Sequence, residues 1–402
     1  MKFTTKAIHS GYARNKEDGA VIPPLHLTTT FEFGNQGGYY DGSVSVEEWE
    51  KQKEIKFNNN YKHFDYARTV NPTRLILEST MAALDGNRFG LAYSSGSAAL
   101  ANIVALLKQD EVILFSSDAY GGTYRFIVKV AGAQGLQYRI VDLTDPAQTE
   151  AALKQGAVRI IWVETPTNPL LKVVDIEVLA TLAKTYGALL VVDNTFASPA
   201  LQQPAALGAD IVAYSTTKYI NGHSDSIGGM LTLSDETLYA RLKFLQNAIG
   251  AILSPFDSWL TLRGLKTLDL RMQRHQQNAV TIADMLVKHS KIRSVYFPGL
   301  FTGEQGAIVK KQMKGPGGMI SFEIKEQYDA GRFIKALTLI PLAESLGGIE
   351  SLLDHPASMT HGSIPREERL KIGLTDGLMR LSVGIEDAED LVGDLLNALD
   401  KV

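Results

Sequence analysis

A lysine and two hydroxyl-bearing residues lie close together at the end of a hydrophobic run in the segment "IVAYSTTKYINGHSD". Ser215, Thr217 and Lys218 fall on the same short turn. A buried lysine amine is costly unless its charge is removed or paired, and a Schiff base with a carbonyl compound removes that charge. Hydroxyl groups beside it can donate hydrogen bonds to an anion. The spacing therefore indicates a reactive amine next to an anion-binding turn.

Further residues with chemical potential come after four other hydrophobic runs. They are Gly96 and Ser97 after "FGLAY", Tyr120 after "VILFS", Asn168 after "IIWVE" and Asp193 after "LLVV". Small residues that open a helix leave backbone N–H groups available to a phosphate. Pyridoxal 5'-phosphate requires a lysine, a carboxylate for its ring nitrogen and donors for its phosphate, and an aromatic side chain can stack on its ring. These strand ends together predict that cofactor.

The elements that must position these residues alternate along the chain. Apolar runs typical of buried strands alternate with amphipathic helical patterns from residue 66 to about 250. This alternation predicts an α/β fold with a mostly parallel sheet covered on both faces, in which ligands bind at the carboxyl ends of the strands. We expect a smaller α+β domain at 255–402 and an N-terminal arm at 1–65.

Composition excludes several classes of protein. The chain has 402 residues, 45% of them hydrophobic and 21% charged, with a net charge of −4. This charge argues against nucleic-acid binding and against an anionic membrane surface. The absence of cysteine excludes disulfides and thiolate chemistry, and no histidine spacing indicates a metal site. The polar beginning and the lack of a long apolar run predict a cytoplasmic protein without a membrane span.

Three other readings of the same residues are less favoured. Ser215 and Lys218 match the S-x-x-K pattern of penicillin-binding serine acyltransferases, but the S-D-N and K-T-G partners do not occur. A Rossmann dehydrogenase needs a G-x-G-x-x-G segment, and the chain contains none. A non-catalytic binding protein on this fold would be expected to lack Lys218 or Asp193, and both are present.

Motifs along almost the whole chain support a more specific assignment. They are "YARTVNPT", "SSGSAA", "DAYGGTY", "ETPTNP", "VVDNTF", "YSTTKYINGHSD", "ESLGGIESL", "HPASMTH" and "RLSVGIED". In these motifs the sequence resembles the Cys/Met-metabolism family of pyridoxal-phosphate enzymes, the γ-subfamily of fold type I. The resemblance implies the fold-type I transferase fold, with a large domain at 66–250 that binds pyridoxal 5'-phosphate.

The resemblance also assigns roles to individual residues. It implies that Lys218 binds the cofactor covalently and that Asp193 keeps the pyridine nitrogen protonated. Tyr120 would stack on the ring, and Lys218 and Tyr120 would be the catalytic residues. The residues implied to bind the phosphate are Gly96, Ser97, Ser215 and Thr217. Tyr66 and Arg68 would reach the phosphate of a neighbouring subunit, so the resemblance implies a homo-oligomer, usually a tetramer, in which the N-terminal arm contacts the neighbour.

Substrate recognition is implied at a second group of residues. Arg380 would bind the substrate α-carboxylate through its planar guanidinium group, assisted by Asn168 and the main chain at Ser345. Glu344 would meet the distal ammonium of cystathionine. Arg125, five residues after Tyr120, is a candidate for the distal carboxylate, with a helix-surface charge as the alternative. We therefore expect a carbon–sulfur lyase of the trans-sulfuration group that acts on a small amino acid.

Within this group a cystathionine γ-lyase is favoured. It would cleave L-cystathionine to cysteine, 2-oxobutanoate and ammonia. A cystathionine γ-synthase acting on an O-acylhomoserine, and a cystathionine β-lyase or broader sulfur amino acid lyase, stay open as alternatives. The segment at residues 34–63 also looks longer than the corresponding part of the arm in most members of the family that the sequence resembles. This insertion could cover a neighbour's site or be a surface elaboration.

Overall fold

The computed structural model describes residues 1–12, 19–31, 64–360, 362, 366–371 and 373–402. The insertion predicted at 34–63 lies outside the described residues, as does much of the predicted arm. The helices are α1 Phe3–His9, α2 Pro72–Asp85, α3 Gly96–Val104, α4 Gly121–Tyr124, α5 Pro146–Lys154, α6 Ile176–Tyr186, α7 Ser198–Leu201, α8 Glu236–Ile249, α9 Pro255–Leu265, α10 Leu268–Lys288, α11 Gly303–Gln312, α12 Ala330–Ala336, α13 Arg366–Lys371 and α14 Ala388–Asp400. The strands are β1 Phe89–Tyr93, β2 Val112–Ser116, β3 Gln137–Val141, β4 Val158–Glu164, β5 Leu189–Asp193, β6 Ile211–Ser215, β7 Gly229–Leu233, β8 Ile292–Tyr296, β9 Met319–Ile324, β10 Leu352–Asp354 and β11 Leu378–Ser382.

Seven strands form the larger sheet in the order β1-β7-β6-β5-β4-β2-β3. Six of them run in one direction, and β7 is antiparallel to both of its neighbours. Most of these strands are buried along their whole length, as expected when helices cover both faces. The predicted α/β class with a mostly parallel sheet is therefore confirmed, and the reversal of β7 is an addition to it.

Four antiparallel strands form the second sheet in the order β10-β11-β9-β8. Apolar side chains of α10 and α14 pack with this sheet in one hydrophobic cluster. The segment after residue 254 forms two helices, α9 and α10, which meet at Lys266 and Thr267. The domain boundaries predicted from the sequence stay a prediction.

Local sequence explains why α2 forms where it does. The Asn71 side chain accepts hydrogen bonds from the N–H groups of Thr73 and Arg74, and Pro72 occupies the first helical position. Gly86 ends the helix in the left-handed conformation at φ 74°. The segment "NPTRLILESTMAALDG" thus carries the signals for both ends of the helix.

Arg74, on the buried side of α2, fixes the segment that precedes the helix. Its guanidinium group donates to the carbonyl oxygens of Ala67 at 2.8 Å and of Arg68 at 3.3 Å. The Arg74 side chain also lies 3.5 Å from the Glu78 carboxylate, which accepts from the Ala92 N–H. This buried chain of contacts ties the backbone around Arg68 to strand β1.

A second buried network joins the ends of β5 and β6. The Tyr214 hydroxyl donates to Asp85 at 2.6 Å and accepts from the Asn194 amide at 3.0 Å. Thr232 on β7 donates to the other oxygen of Asp85 at 2.5 Å. Burial raises the pKa of Asp85 to about 7. Because Asn194 comes directly after one predicted site residue and Tyr214 directly before another, this network holds the strand ends on which the site is built.

Strand β7 approaches the start of α3 very closely at Gly229. A Cβ atom at this position would lie 2.2 Å from the Ser95 carbonyl oxygen and 2.9 Å from the Gly96 Cα atom. We expect Gly229→Ala to lower the free energy of unfolding by about 1–3 kcal/mol, because backbone must move to admit the methyl group. Urea denaturation followed by circular dichroism measures the change, and the same shift should weaken cofactor binding.

Gly393 provides the matched control for this substitution. It lies inside α14, and no atom comes within 4 Å of a Cβ built there. Gly393→Ala should raise stability by about 0.5–1 kcal/mol, since alanine has the better helix propensity. Equal effects of the two substitutions would contradict the close packing inferred at Gly229.

Candidate active site

The N-terminus of α3 lies against the end of strand β6. A Cβ atom on Gly96 would lie 3.2 Å from the Ser215 Cβ atom, so the two segments are in direct contact. The Ser95 side chain caps the helix by accepting from the Ala98 N–H, and Ser97 is exposed on the first turn. Free N–H groups and the helix dipole make such a terminus suited to an anion. The structure thus places Gly96 against Ser215, and Ser97 follows Gly96 on the first turn of α3; their role in phosphate binding stays a prediction.

The turn after β6 is held by hydrogen bonds to its neighbours. The Ser215 N–H donates to Thr195 Oγ1 at 2.8 Å. Thr217 Oγ1 accepts from the Gly228 N–H at 3.0 Å and lies 3.3 Å from the Gly228 carbonyl oxygen. These bonds fix the backbone that carries Lys218.

The Lys218 side chain contacts the segment that precedes strand β10 of the second sheet. Its amine donates to Ser345 Oγ at 2.8 Å. Burial, with a smaller effect of the Arg380 charge, lowers the pKa of Lys218 to about 8. Ser345 has a φ of 97°, a conformation that costs a non-glycine residue about 1–3 kcal/mol and is common at functional sites. The lysine is therefore an amine that can take up and release a proton near neutral pH.

Asp193, at the end of β5, is bound by one neighbouring threonine. Its Oδ1 atom accepts from the Thr195 N–H at 3.0 Å and from the Thr195 hydroxyl at 2.5 Å. Burial raises the pKa of this carboxyl group. Asp193 is the register partner of Glu164 on β4, a residue that the sequence reasoning did not single out. Glu164 ends strand β4 and opens the segment "ETPTNP", and this position at a strand end could have identified it from the sequence.

Tyr120 lies at the entrance to α4. Its N–H donates to Glu164 Oε2 at 2.8 Å, and its ring passes so close to Gly122 that a Cβ there would lie 2.3 Å from a ring carbon. The side chain is 43% exposed, so its ring is accessible to a ligand. Burial, followed by the charge of Glu344, raises the pKa of the phenol, which is protonated at neutral pH.

Arg380 is a buried cation surrounded by acceptors. Its guanidinium group donates to Asn168 Oδ1 at 2.9 Å and to the Ser345 carbonyl oxygen at 3.2 Å, and it lies 3.5 Å from Asp354 Oδ2. Within the described ranges its Nε atom has no hydrogen-bond partner, although the side chain is only 2% exposed. The sequence reasoning missed Asp354, which is the register partner of Arg380.

These residues fit pyridoxal 5'-phosphate. The site offers a lysine of lowered pKa, a carboxylate, an accessible aromatic ring and a helix N-terminus packed on Ser215. Among the residues that the structure describes, no group of three or more histidine, aspartate or glutamate side chains could hold a metal ion. No helix of the described residues is long and apolar enough to cross a membrane.

Comparison with known proteins agrees with this fit. The sequence model of the family "Cys/Met metabolism PLP-dependent enzyme" matches residues 4–400. The chain belongs to this family. It is therefore an enzyme that depends on pyridoxal 5'-phosphate.

Members of this family with different activities are similar to the chain over nearly its whole length. A cystathionine γ-lyase of Dictyostelium discoideum is 47% identical over 401 residues, covering 100% of this chain and 98% of that protein. A cystathionine β-lyase of Lactococcus lactis subsp. cremoris strain MG1363 is 45% identical over 397 residues, covering 99% and 98%. The crystal structure of cystathionine γ-synthase from Xanthomonas oryzae pv. oryzae in complex with cystathionine aligns with a TM-score of 0.90 at 42% identity, covering 100% and 98%.

The remaining predicted residues of this family enzyme lie at its surface. Glu344 and Arg125 are exposed, and both charges act on the Tyr120 phenol. Tyr66 is 43% exposed, and the Arg68 guanidinium group lies 5.7 Å from the centre of its ring. Within the described chain, neither the Tyr66 nor the Arg68 side chain hydrogen-bonds to another predicted site residue. Arg68 donates instead to the Asn247 carbonyl oxygen at 2.7 Å.

Substitution of Arg380 tests whether its guanidinium group binds the substrate α-carboxylate. Arg380→Lys keeps the buried positive charge beside Asp354 but removes the planar pair of donors. We expect the KM for amino-acid substrates to rise by about ten- to a hundredfold, equivalent to about 1.5–3 kcal/mol for charged hydrogen bonds. Steady-state kinetics with several substrates checks this, since the α-carboxylate is common to all of them.

Arg293→Lys is the matched control. Arg293 lies on β8, is 53% exposed and pairs with Glu323 and Glu326. Its replacement should leave KM unchanged. An Arg380→Lys enzyme with the KM of the unmodified protein would show that Arg380 does not bind the carboxylate.

Proposed function

We propose that the protein is a cystathionine γ-lyase, which converts L-cystathionine and water into cysteine, 2-oxobutanoate and ammonia. The observation that carries this proposal is the arrangement of charge around Lys218. Arg380 offers a buried guanidinium group on one side, and exposed Glu344 and Arg125 lie near the Tyr120 ring. A substrate with charged groups at both ends complements this arrangement. The cytoplasmic location expected for the enzyme rests on composition alone.

Binding of the substrate would begin with its two ends. The α-carboxylate would take the place beside Arg380, where the unpartnered Nε atom and the Asn168 amide favour a planar acceptor. Glu344 would accept from the distal ammonium group, and Arg125 would pair with the distal carboxylate. These contacts would place the carbons between them near the Lys218 amine.

The cofactor would be held by a separate group of residues. They are Lys218, Asp193, Tyr120, Gly96, Ser97, Ser215 and Thr217, with Tyr66 and Arg68 from a neighbouring subunit. Pyridoxal 5'-phosphate supplies an electron sink for the negative charge that develops beside the substrate nitrogen. Asp193, with Thr195 holding one of its oxygens, would keep a negative charge next to the ring nitrogen.

Lys218 would then move protons within the bound substrate. Cleavage at Cγ requires that a proton leave Cα and another leave Cβ, whereas cleavage at Cβ requires only the first. The pKa of about 8 gives the Lys218 amine a substantial neutral fraction near neutral pH, so it can act as a base, and its protonated form can return the proton. Ser345 Oγ orients the amine, and the protonated Tyr120 phenol can donate to the departing sulfur.

The alternative activities use the same residues and differ in their products. A γ-synthase would join cysteine to an O-acylhomoserine at the same stage where a γ-lyase releases its product, and a β-lyase would yield pyruvate. Glu344 supports a reaction on cystathionine, because its carboxylate suits the distal ammonium.

Product analysis tests this proposal directly. Given L-cystathionine alone, the enzyme should release 2-oxobutanoate faster than it makes cystathionine from cysteine and O-acetyl- or O-succinylhomoserine. Chromatographic quantification of both keto acids and of cystathionine measures the ranking. Pyruvate as the main keto acid would assign a β-lyase, and faster synthesis would assign a γ-synthase.

Replacement of Glu344 tests how the distal end is recognised. Because Glu344 is exposed, we expect Glu344→Gln to cost only about 1 kcal/mol, which raises KM for cystathionine about fivefold. The effect should be small for substrates without a distal ammonium group. Glu326→Gln, at an exposed position on the second sheet's side, is the control and should change neither KM. An equal KM change for both kinds of substrate would argue against this contact.

The proposed enzyme is a homo-oligomer, with a tetramer expected, whose sites are shared between subunits. Support comes from the exposed position of Tyr66 and Arg68 and from large apolar side chains exposed nearby on the arm and on α8. These side chains are Val21, Ile22, Leu27, Phe244 and Ile249. Apolar surface of this kind commonly marks a protein interface.

Complementation tests the sharing of sites. Arg68→Ala and Lys218→Ala variants should each lose most activity, the first through cofactor binding and the second through the lost amine. After subunit exchange, half of the dimers carry one of each, and each of these has one intact site of two. Activity should therefore recover to roughly a quarter of the wild-type value. Demonstrated exchange without recovery would place each site within one chain.

A further inference from the structure

Glu164 is a buried carboxyl group between two residues of the cofactor site. It ends strand β4 and is 5% exposed. Its Oε2 atom accepts from the Tyr120 N–H at 2.8 Å, and its Oε1 atom lies 2.7 Å from the Thr123 hydroxyl. Glu164 thus fixes the first turn of α4, from which the Tyr120 ring projects.

The same carboxyl group faces Asp193. The two residues are register partners on adjacent parallel strands, so their side chains leave the same face of the sheet. Two carboxylates that share a poorly hydrated setting cannot both be ionised without a large cost. Ionisable groups that act on Glu164 include Asp193 on β5 and the Tyr120 phenol at the start of α4.

The surroundings of the two groups decide which one carries the proton. Asp193 is partly exposed and receives two hydrogen bonds on one oxygen from Thr195. Glu164 is the more deeply buried of the two. Burial and the negative charge of Asp193 raise the pKa of Glu164. Burial also raises the pKa of Asp193, but by less.

We propose that Glu164 is a positioning residue that stays protonated, holds the turn of Tyr120 and leaves the single negative charge of the pair on Asp193. A neutral Glu164 can donate its proton to Thr123 Oγ1 while its other oxygen accepts from the Tyr120 N–H. An ionised Glu164 would compete with Asp193 for the positive ring nitrogen of the cofactor. The inference rests on the proposed placement of the cofactor and is independent of which sulfur amino acid is cleaved.

Two substitutions separate the neutral from the ionised form. Glu164→Gln keeps a neutral group of the same shape that can accept from the Tyr120 N–H, so the dissociation constant of pyridoxal 5'-phosphate and kcat should stay within about threefold of wild type. Glu164→Ala removes both contacts and should raise the dissociation constant about tenfold or more. Titration of cofactor-depleted enzyme, followed by absorbance, measures binding without turnover.

The charge state itself is visible by infrared spectroscopy of the holoenzyme. The difference spectrum between wild type and Glu164→Gln should contain the C=O stretch of a protonated carboxylic acid. Glu323→Gln is the matched control, because Glu323 is also 5% exposed and hydrogen-bonded but lies on β9, and it should leave cofactor binding unchanged. A carboxylate band at Glu164, or a Gln variant as impaired as the Ala variant, would overturn the neutral assignment.

Asp193→Ala distinguishes failure of this inference from failure of the proposed site. If Asp193→Ala weakens cofactor binding and Glu164→Ala does not, the site stands and the role of Glu164 is overturned. If neither substitution changes binding, the cofactor does not lie beside this pair, and both the placement and the inference fail.

Discussion

Partial burial of the Lys218 amine is the constraint on which the rest of the site depends. A free lysine in water is almost fully protonated at neutral pH, whereas this one has a pKa of about 8 because protein replaces much of its hydration. To keep this pKa low, the surrounding groups must hydrogen-bond to the amine without stabilising its protonated form. Ser345, a neutral hydroxyl in an unusual backbone conformation, meets this requirement, and the nearby Arg380 cation acts in the same direction.

The two sheets contribute different ionisable groups to this setting. The seven-stranded sheet ends in the carboxyl groups of Glu164 and Asp193, and the four-stranded sheet supplies Arg380 with Asp354 directly across from it. Lys218 bridges them through Ser345. Asp354 lies 3.5 Å from the Arg380 guanidinium group and limits the cost of burying it, because an unpaired charge in the interior would destabilise the fold by several kcal/mol.

Sequence patterns predicted the parts of this arrangement that depend on local chemistry. The strand ends bearing Tyr120, Asp193 and Lys218 were recognisable because apolar runs end abruptly in polar residues. Strands β8 and β10 were not predicted. Four of the five residues of β8 are not fully buried, so it lacks an apolar run, and β10 is only three residues long. The direction of β7 could not be read from hydrophobicity, which is the same for parallel and antiparallel strands. Glu164 and Asp354 were missed because their importance comes from register between strands that are distant in sequence.

Burial also divides the proposed site into an inner and an outer group of residues. Lys218, the carboxyl pair and Arg380 are buried or partly buried, and under the proposed function they would handle the protons and the α-carboxylate in any reaction of this kind. Glu344 and Arg125 are exposed at the rim, where each contact is worth little because water screens it. Several weak contacts at the rim can nevertheless decide between reactions that diverge late, since a difference of 1.4 kcal/mol changes a rate ratio about tenfold. Nearly equal similarity to relatives with three different activities is what such a division of the site would produce.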